Sequence, residues 1–233
     1  MSEDEQPVSP RRPSAGREPD DGSGRGGGEG AAADLDVRAR RTRARLREAV
    51  LRLASERPVE DVAVADLVRA ARINRTTFYK HAGSPAAVLE RVLYADLDRV
   101  RSGWIDDTLE GRLSGQEVWE RASHALVDHL ERYDALYTAG LVGRRSAVLH
   151  RLLVDHFVES VRTLLARDPG MLPAGDGPTA WRTEAHARFV GHGEFGVVEA
   201  WLSLPAPRDR ALFVSAVTSM LPAWLALGSS ART

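Results

Sequence analysis

Apolar residues recur at helical spacing along most of the chain. Leu46, Ala49, Val50, Leu53 and Ala54 form one stripe, with Arg41, Arg45 and Arg52 on the opposite face. Pro58 ends this first helix. A short second helix carries Leu67, Val68 and Ala71. A third runs over Arg75–His81, with Asn74 placed to cap it. Ser84-Pro85 then reads as an N-cap followed by proline at the first helical position. It opens a long fourth helix that buries Val88, Leu89, Val92, Leu93 and Leu97 on its way to Trp104. Further helical periods cover 116–137 and 146–166, then a Gly/Pro-rich loop over 168–180, then helices near 181–204 and 207–227. Pro222 should kink the last of these. No strand-like alternation and no internal repeat appears. The pattern predicts an all-α fold, with a small three-helix unit over 36–83 and a larger helical domain over 84–228.

Residues 1–35 lack any apolar period and include the run GSGRGGGEG. This composition cannot bury enough surface to offset ordering entropy, so it predicts a disordered tail. The whole chain of 233 residues is 43% hydrophobic and 28% charged, within the ordinary range for globular proteins. It contains no cysteine, which excludes disulfides, thiolate metal sites and cysteine nucleophiles. No signal peptide and no bilayer-spanning apolar run is readable, which predicts a soluble, cytoplasmic protein with no membrane partner.

Net charge is −1, so any basic surface must be local. Between Arg38 and Lys80 twelve basic residues face five acids. Lys80 is the only lysine of the chain. The same region holds two short helical stretches joined by a tight turn around Ala71-Arg72-Ile73-Asn74, the arithmetic of a helix-turn-helix. At about 100° per residue, Phe78 points to the core, while Thr76 and Lys80 lie opposite, flanked by Thr77 and Tyr79. Short hydroxyls, a phenol and an ammonium on one face suit a DNA groove, and Arg75 stands at the helix start.

These residues carry a resemblance. The stretch 42–92 is similar to the N-terminal domain of the TetR family of regulators, through the run Thr77-Phe78-Tyr79-Lys80-His81, Asp66-Leu67 in the second helix, and Ser84 before the fourth. The resemblance implies a DNA-binding domain over 36–83 and a ligand-binding and dimerisation domain over 84–228. Thr77, Tyr79 and His81 would hold phosphates, while Arg75, Thr76 and Lys80 would face bases. The chain departs from the family pattern at Ala63, Arg72, Ala82 and Pro85.

The resemblance also implies a homodimer built on the last two long helices. Gly193, Gly196 and Ala200 fall on one side of a helix, where another backbone can approach closely, and Val197, Trp201 and Leu204 would add apolar area. Leu221 and Trp224 would complete the interface. A pocket for a small-molecule effector is expected among the helices of 85–165. Its candidate lining is Trp104, Trp119, Tyr133 and Tyr137, together with His129, His156 and Phe157. The histidine spacings match no helical metal-ligand pair, so no metal and no cofactor is expected. Phosphate-binding loops and nucleophile elbows are absent from the sequence, so no enzyme is expected. The implied function is a ligand-responsive transcriptional regulator, a repressor released from a pseudo-palindromic operator by a small molecule. Two alternatives stay open: a ligand-independent DNA-binding protein of the same fold, and a helical enzyme or carrier with a vestigial helix-turn-helix.

Overall fold

The computed structural model describes residues 26–143 and 145–226. Helix α1 (Gly26–Glu56) leads to a 3-10 turn (Val59–Asp61), α2 (Val64–Ala70), α3 (Arg75–His81) and the long α4 (Pro85–Glu110). Helices α5 (Gly115–Arg132), α6 (Asp134–Tyr137) and α7 (Ala147–Arg167) follow, with a π-helical turn, Thr138–Gly143, after α6. The last described elements are α8 (Thr179–Leu202), α9 (Arg210–Met220) and α10 (Ala223–Ala226). The described residues contain no strand.

Two compact units divide the chain, one ending at Ala39 and one beginning at Arg40. The start of α1 is the described part of the first unit; the second holds the core and every other element. Residues 26–35 are helical, although their glycine content predicts coil. Once a strong helix exists downstream, adding residues such as Ala31–Ala33 needs no new nucleation. The rest of the predicted tail, residues 1–25, lies outside the described residues.

Short local signals place most helix starts. Asn74 accepts from Thr77 N at 2.7 Å, Ser84 from Ala87 N at 3.1 Å and Ser146 from Leu149 N at 3.2 Å. Ser114 and Glu117 form a reciprocal capping box on α5. Two expected helices are interrupted. The helix read over 116–137 stops at Arg132, because Tyr133 leaves helical geometry. The one read over 207–227 breaks at Leu221, which is extended ahead of Pro222.

One contiguous apolar core runs from Leu46 to Leu225. Within it α4 packs on α5 and α7, α7 on α8, and α5 on α9. The α7–α8 contact depends on Gly191. A Cβ there would lie 2.6 Å from Val158 Cγ2 and 2.8 Å from Val158 N.

Candidate nucleic-acid interface and effector cavity

The second and third helices form the expected tight unit. Ala71 N donates to Leu67 O at 2.8 Å and Ile73 N to Val68 O at 3.0 Å, closing α2. Between them Arg72 adopts φ 51°, a left-handed conformation that disfavours a Cβ. Glycine would adopt it freely, so the arginine holds this turn at some cost in stability. Ala63 occupies the N-cap of α2 without a side-chain hydrogen bond, so this helix start lacks the stabilisation a serine or threonine supplies. Arg57 compensates from outside by pairing with Asp66 of the first turn at 2.8 Å. Ala82 is buried, so only a methyl group fills its place in the core.

Phe78 is fully buried and fixes the rotation of α3. Arg75, Thr76, Tyr79 and Lys80 are then exposed, while Thr77 and His81 are half-buried. Tyr79 is 61% exposed, high for an aromatic residue, and only one side of its ring meets Phe78, edge-on. All six residues proposed from the sequence therefore sit on one short helix, four of them fully presented.

Many arginines are held by acids, including Arg52, Arg57 and Arg69 of the headpiece, and the cations on and beside α3 stand apart from them. Arginines of the larger domain are mostly held by acids: Arg121 by Asp107, Arg151 by Glu90, Arg167 by Asp106 and Arg210 by Asp128. Around α3, Arg72, Arg75 and Lys80 are exposed and make no ion pair among the described residues. Uncompensated cations on a face with hydroxyls are the electrostatic footprint of a polyanion site.

Two polar joints connect this headpiece to the rest of the chain. Asp96 is a buried carboxylate on α4. Tyr133 Oη donates to it at 2.5 Å, and Arg47 of α1 donates to the same Tyr133 hydroxyl. Arg99 and Arg132 also pair with Asp96. Burial alone would raise the Asp96 pKa, but the Tyr133 hydrogen bond and the arginines Arg99 and Arg47 outweigh it and hold the carboxyl below its usual range. In the second joint, Glu60 accepts from Ser146 Oγ at 2.8 Å and from Val148 N at 2.9 Å. It thus caps α7 from the turn between α1 and α2. Burial would raise its pKa too, and these hydrogen bonds lower it. Arg91 of α4 donates to His81 O at 2.9 Å and ties the end of α3 to the long helix.

The residues expected to line an effector pocket separate into two groups. Trp104, Trp119, His156 and Phe157 line a narrow inner cavity of about 30 Å³. Tyr133, Tyr137 and His129 do not line it. They form the aromatic side of the Asp96 joint, with His129 Nε2 2.7 Å from Tyr137 Oη. The cause is the end of α5 at Arg132, which turns Tyr133 toward Asp96. The larger space lies mostly outside 85–165, with Trp119 as its one wall from that range. A cleft of about 690 Å³ opens between α5, α8 and the α9–α10 break, with Trp119, Phe189, Glu194, Met220 and Pro222 among its walls. The interruption at Leu221-Pro222 makes room for it.

Trp119 and Glu194 line both spaces. Trp104 Nε1 and His156 Nδ1 are buried and find no hydrogen-bond partner among the described residues. Burial holds the His156 imidazole neutral, with its pKa pushed down to about 3. Glu194, half-buried as a residue, has its carboxyl pushed up to about 7 by burial. Sequence reading missed both Asp96 and Glu194, yet each leaves a signal. Asp96 falls at i+4 from Val92 and i−4 from Val100, and Glu194 at i+4 from Val190 and i−4 from Val198. Both acids therefore sit on apolar helix stripes.

The residues assigned to a dimer contact separate into two groups. Gly193, Gly196, Val197, Ala200 and Leu204 line a groove of about 360 Å³ along α8 and α9, with exposed Leu212 and Met220 beside them. A Cβ at Gly193 or Gly196 would meet nothing within 4 Å, so no element among the described residues explains these glycines. Trp201 lies at the groove floor but is buried, packing on Phe213 and donating to Asp209 O at 3.0 Å. Leu221 lines the large cleft instead, and the Trp224 ring meets His186. Phe189, 73% exposed, lines the large cleft as well. Among the described residues no group of three or more potential metal-ligating side chains occurs, and no helix is long and apolar enough to cross a membrane.

A helix-turn-helix carried on an all-α bundle defines the architecture. No family model matches the chain, and no curated protein sequence matches it. Solved structures do. One is a protein from Syntrophomonas wolfei described as a TetR-family transcriptional regulator, at 14% identity and a TM-score of 0.57, over 78% of this chain and 93% of that one. Another is Thermus thermophilus FadR, a TetR-family transcriptional repressor solved with lauroyl-CoA, at 20% identity and a TM-score of 0.50, over 77% of this chain and 95% of that one. The chain has the fold of TetR-family regulators.

Proposed function

We propose that the protein is a transcriptional regulator that binds DNA through α3 as a two-fold dimer and responds to a small molecule held in the cleft beside α8. The observation that carries this reading is the exposed face of α3. Arg75, Thr76, Tyr79 and Lys80 stand free on a helix whose opposite side is anchored by Phe78. Lys80 suits a guanine edge and Arg75 either a guanine or a phosphate, while Tyr79 and Thr77 suit phosphates. The open groove on α8 and α9 supports a second copy, because an apolar face with unexplained glycines accepts another helix closely.

Coupling follows from α4. It is capped by Ser84 beside α3, tied to His81 by Arg91, and lines the inner cavity with Trp104. A ligand pressing on Trp104 and Trp119 shifts α4 relative to α1 and α5, the elements joined through Asp96. Such a ligand needs to favour the non-binding arrangement by only about 1–3 kcal/mol to change DNA affinity five- to 150-fold. Repression with release by ligand is the form of regulation the TetR-family resemblance implies. Selection from a random DNA pool tests the proposal: the protein should enrich one pseudo-palindromic site, with half-sites about one helical turn apart. Recovery of no enriched sequence would refute it.

A further inference from the structure

The walls of the cleft specify more than a size. About 690 Å³ falls in the ordinary range for a small-molecule site, and its lining is mainly apolar and aromatic. Trp119 and Glu194 lie between it and the inner cavity, where Trp104 meets Trp119 at a ring separation of 5.2 Å. The charged and titratable side chains facing these spaces are Arg101, Arg188, Glu194, His156 and His192. Arg101 pairs with Asp98, and Arg188 pairs with Glu184 at the solvent edge. His156 is buried and neutral, and His192 is exposed. Glu194 makes no side-chain hydrogen bond or ion pair among the described residues. Among the described residues, the one charge left unanswered in the cavity walls is therefore negative, and it shares the lining of the inner cavity with Trp104 and Trp119.

We propose that the effector is a hydrophobic cation, an apolar body bearing a protonated amine or similar group, seated with its charge between the Glu194 carboxylate and the Trp119 and Trp104 rings. This deepens the reading of the cleft as an effector site and rests on it. A carboxylate in an apolar enclosure is stabilised by an arriving cation, and indole faces attract the same charge. An anionic effector would bring a second negative charge against Glu194 and find only arginines already held by acids. Burial has raised the Glu194 pKa because no partner offsets it, which is the condition a bound cation would relieve.

The test compares three probes of equal chain length, decylamine, decanol and decanoate, by calorimetry and tryptophan emission at about pH 8. The amine should bind at least about tenfold more tightly than the alcohol, with decanoate weakest. Glu194→Gln should abolish the preference for the amine while keeping decanol binding, which also shows that the variant is folded. If that variant fails to fold, the comparison of the three probes on the unaltered protein decides alone. Equal affinities, a preference for decanoate, or an amine preference that survives in Glu194→Gln would overturn the assignment of charge and leave the cleft standing as an effector site. Binding of none of the three would overturn the cleft as well.

Discussion

Glu194 and the buried histidines pull stability in opposite directions as pH changes. Burial lowers His129 to about 4, against the attraction of Asp96, and lowers His156 to about 3. Both folded values lie below the unfolded one, so the unfolded chain takes up more protons below about pH 6.5 and stability falls as pH falls. Glu194 is raised to about 7. The folded state therefore holds its extra proton between about pH 4.5 and 7, and stability from this group is lost as pH rises through that range. Two histidines against one carboxyl leave a net of one proton. From these groups, stability should climb by about 1.4 kcal/mol per pH unit between about pH 4.5 and 6.5. Glu194→Gln removes the opposing contribution. The variant should gain about 1–3 kcal/mol at pH 8, discounted for partial exposure, and gain nothing near pH 4. Urea denaturation at the two pH values measures this. A Gln variant equally stable at both, relative to the unaltered protein, would mean that the carboxyl is ordinarily solvated. At this scale the α3 face was legible in the sequence, because Asn74, Phe78 and the residues opposite it act within one helical turn. Glu194 and Asp96 were not read, because an acid on an apolar stripe looks like a break in the stripe until its surroundings are known.

Helix α8 shows how an element can face two ways. Gly191 is needed within the chain, since Val158 backbone lies where its Cβ would go. Gly193 and Gly196, two and five residues later, open toward empty space. The sequence signals glycines in a helix but does not say which neighbour each serves. That assignment needs the α7–α8 packing. Gly196→Leu therefore separates fold from assembly. The leucine is accommodated within one chain and improves helix propensity, so melting of the monomeric form should not fall. At a close helix–helix contact it would hold two copies apart. Sedimentation of the unaltered protein should give a mass near twice 25.5 kDa, and the variant should shift toward 25.5 kDa. A variant that sediments as a dimer just as firmly would place the interface elsewhere. Helix ends divide in the same way. Caps at Asn74, Ser84, Ser114 and Ser146 are local and readable. The stop at Arg132 and the π-helical turn Thr138–Gly143 answer to the Asp96 joint and to Leu149, whose side chain crowds Gly140.

Across the whole molecule, the basic end and the cavity end are joined through contacts distant in sequence. Glu60 reaches α7 across 88 residues, and Arg47 reaches Tyr133 across 86. No periodicity or spacing reports such pairs, so these joints were the least legible part of the molecule, while the all-α class was the most. The account rests first on α3 reading DNA. The most direct measurement is the affinity of the selected DNA site for the unaltered protein, Tyr79→Ala and Lys80→Ala, over a range of salt concentrations. Lys80→Ala should weaken binding by about 1–3 kcal/mol and relax specificity at one base position per half-site, as expected of a base contact. Tyr79→Ala should weaken binding to all sequences alike, as expected of a phosphate contact. If both variants bind that site as tightly as the unaltered protein at every salt concentration, α3 is not the reading helix and the account fails.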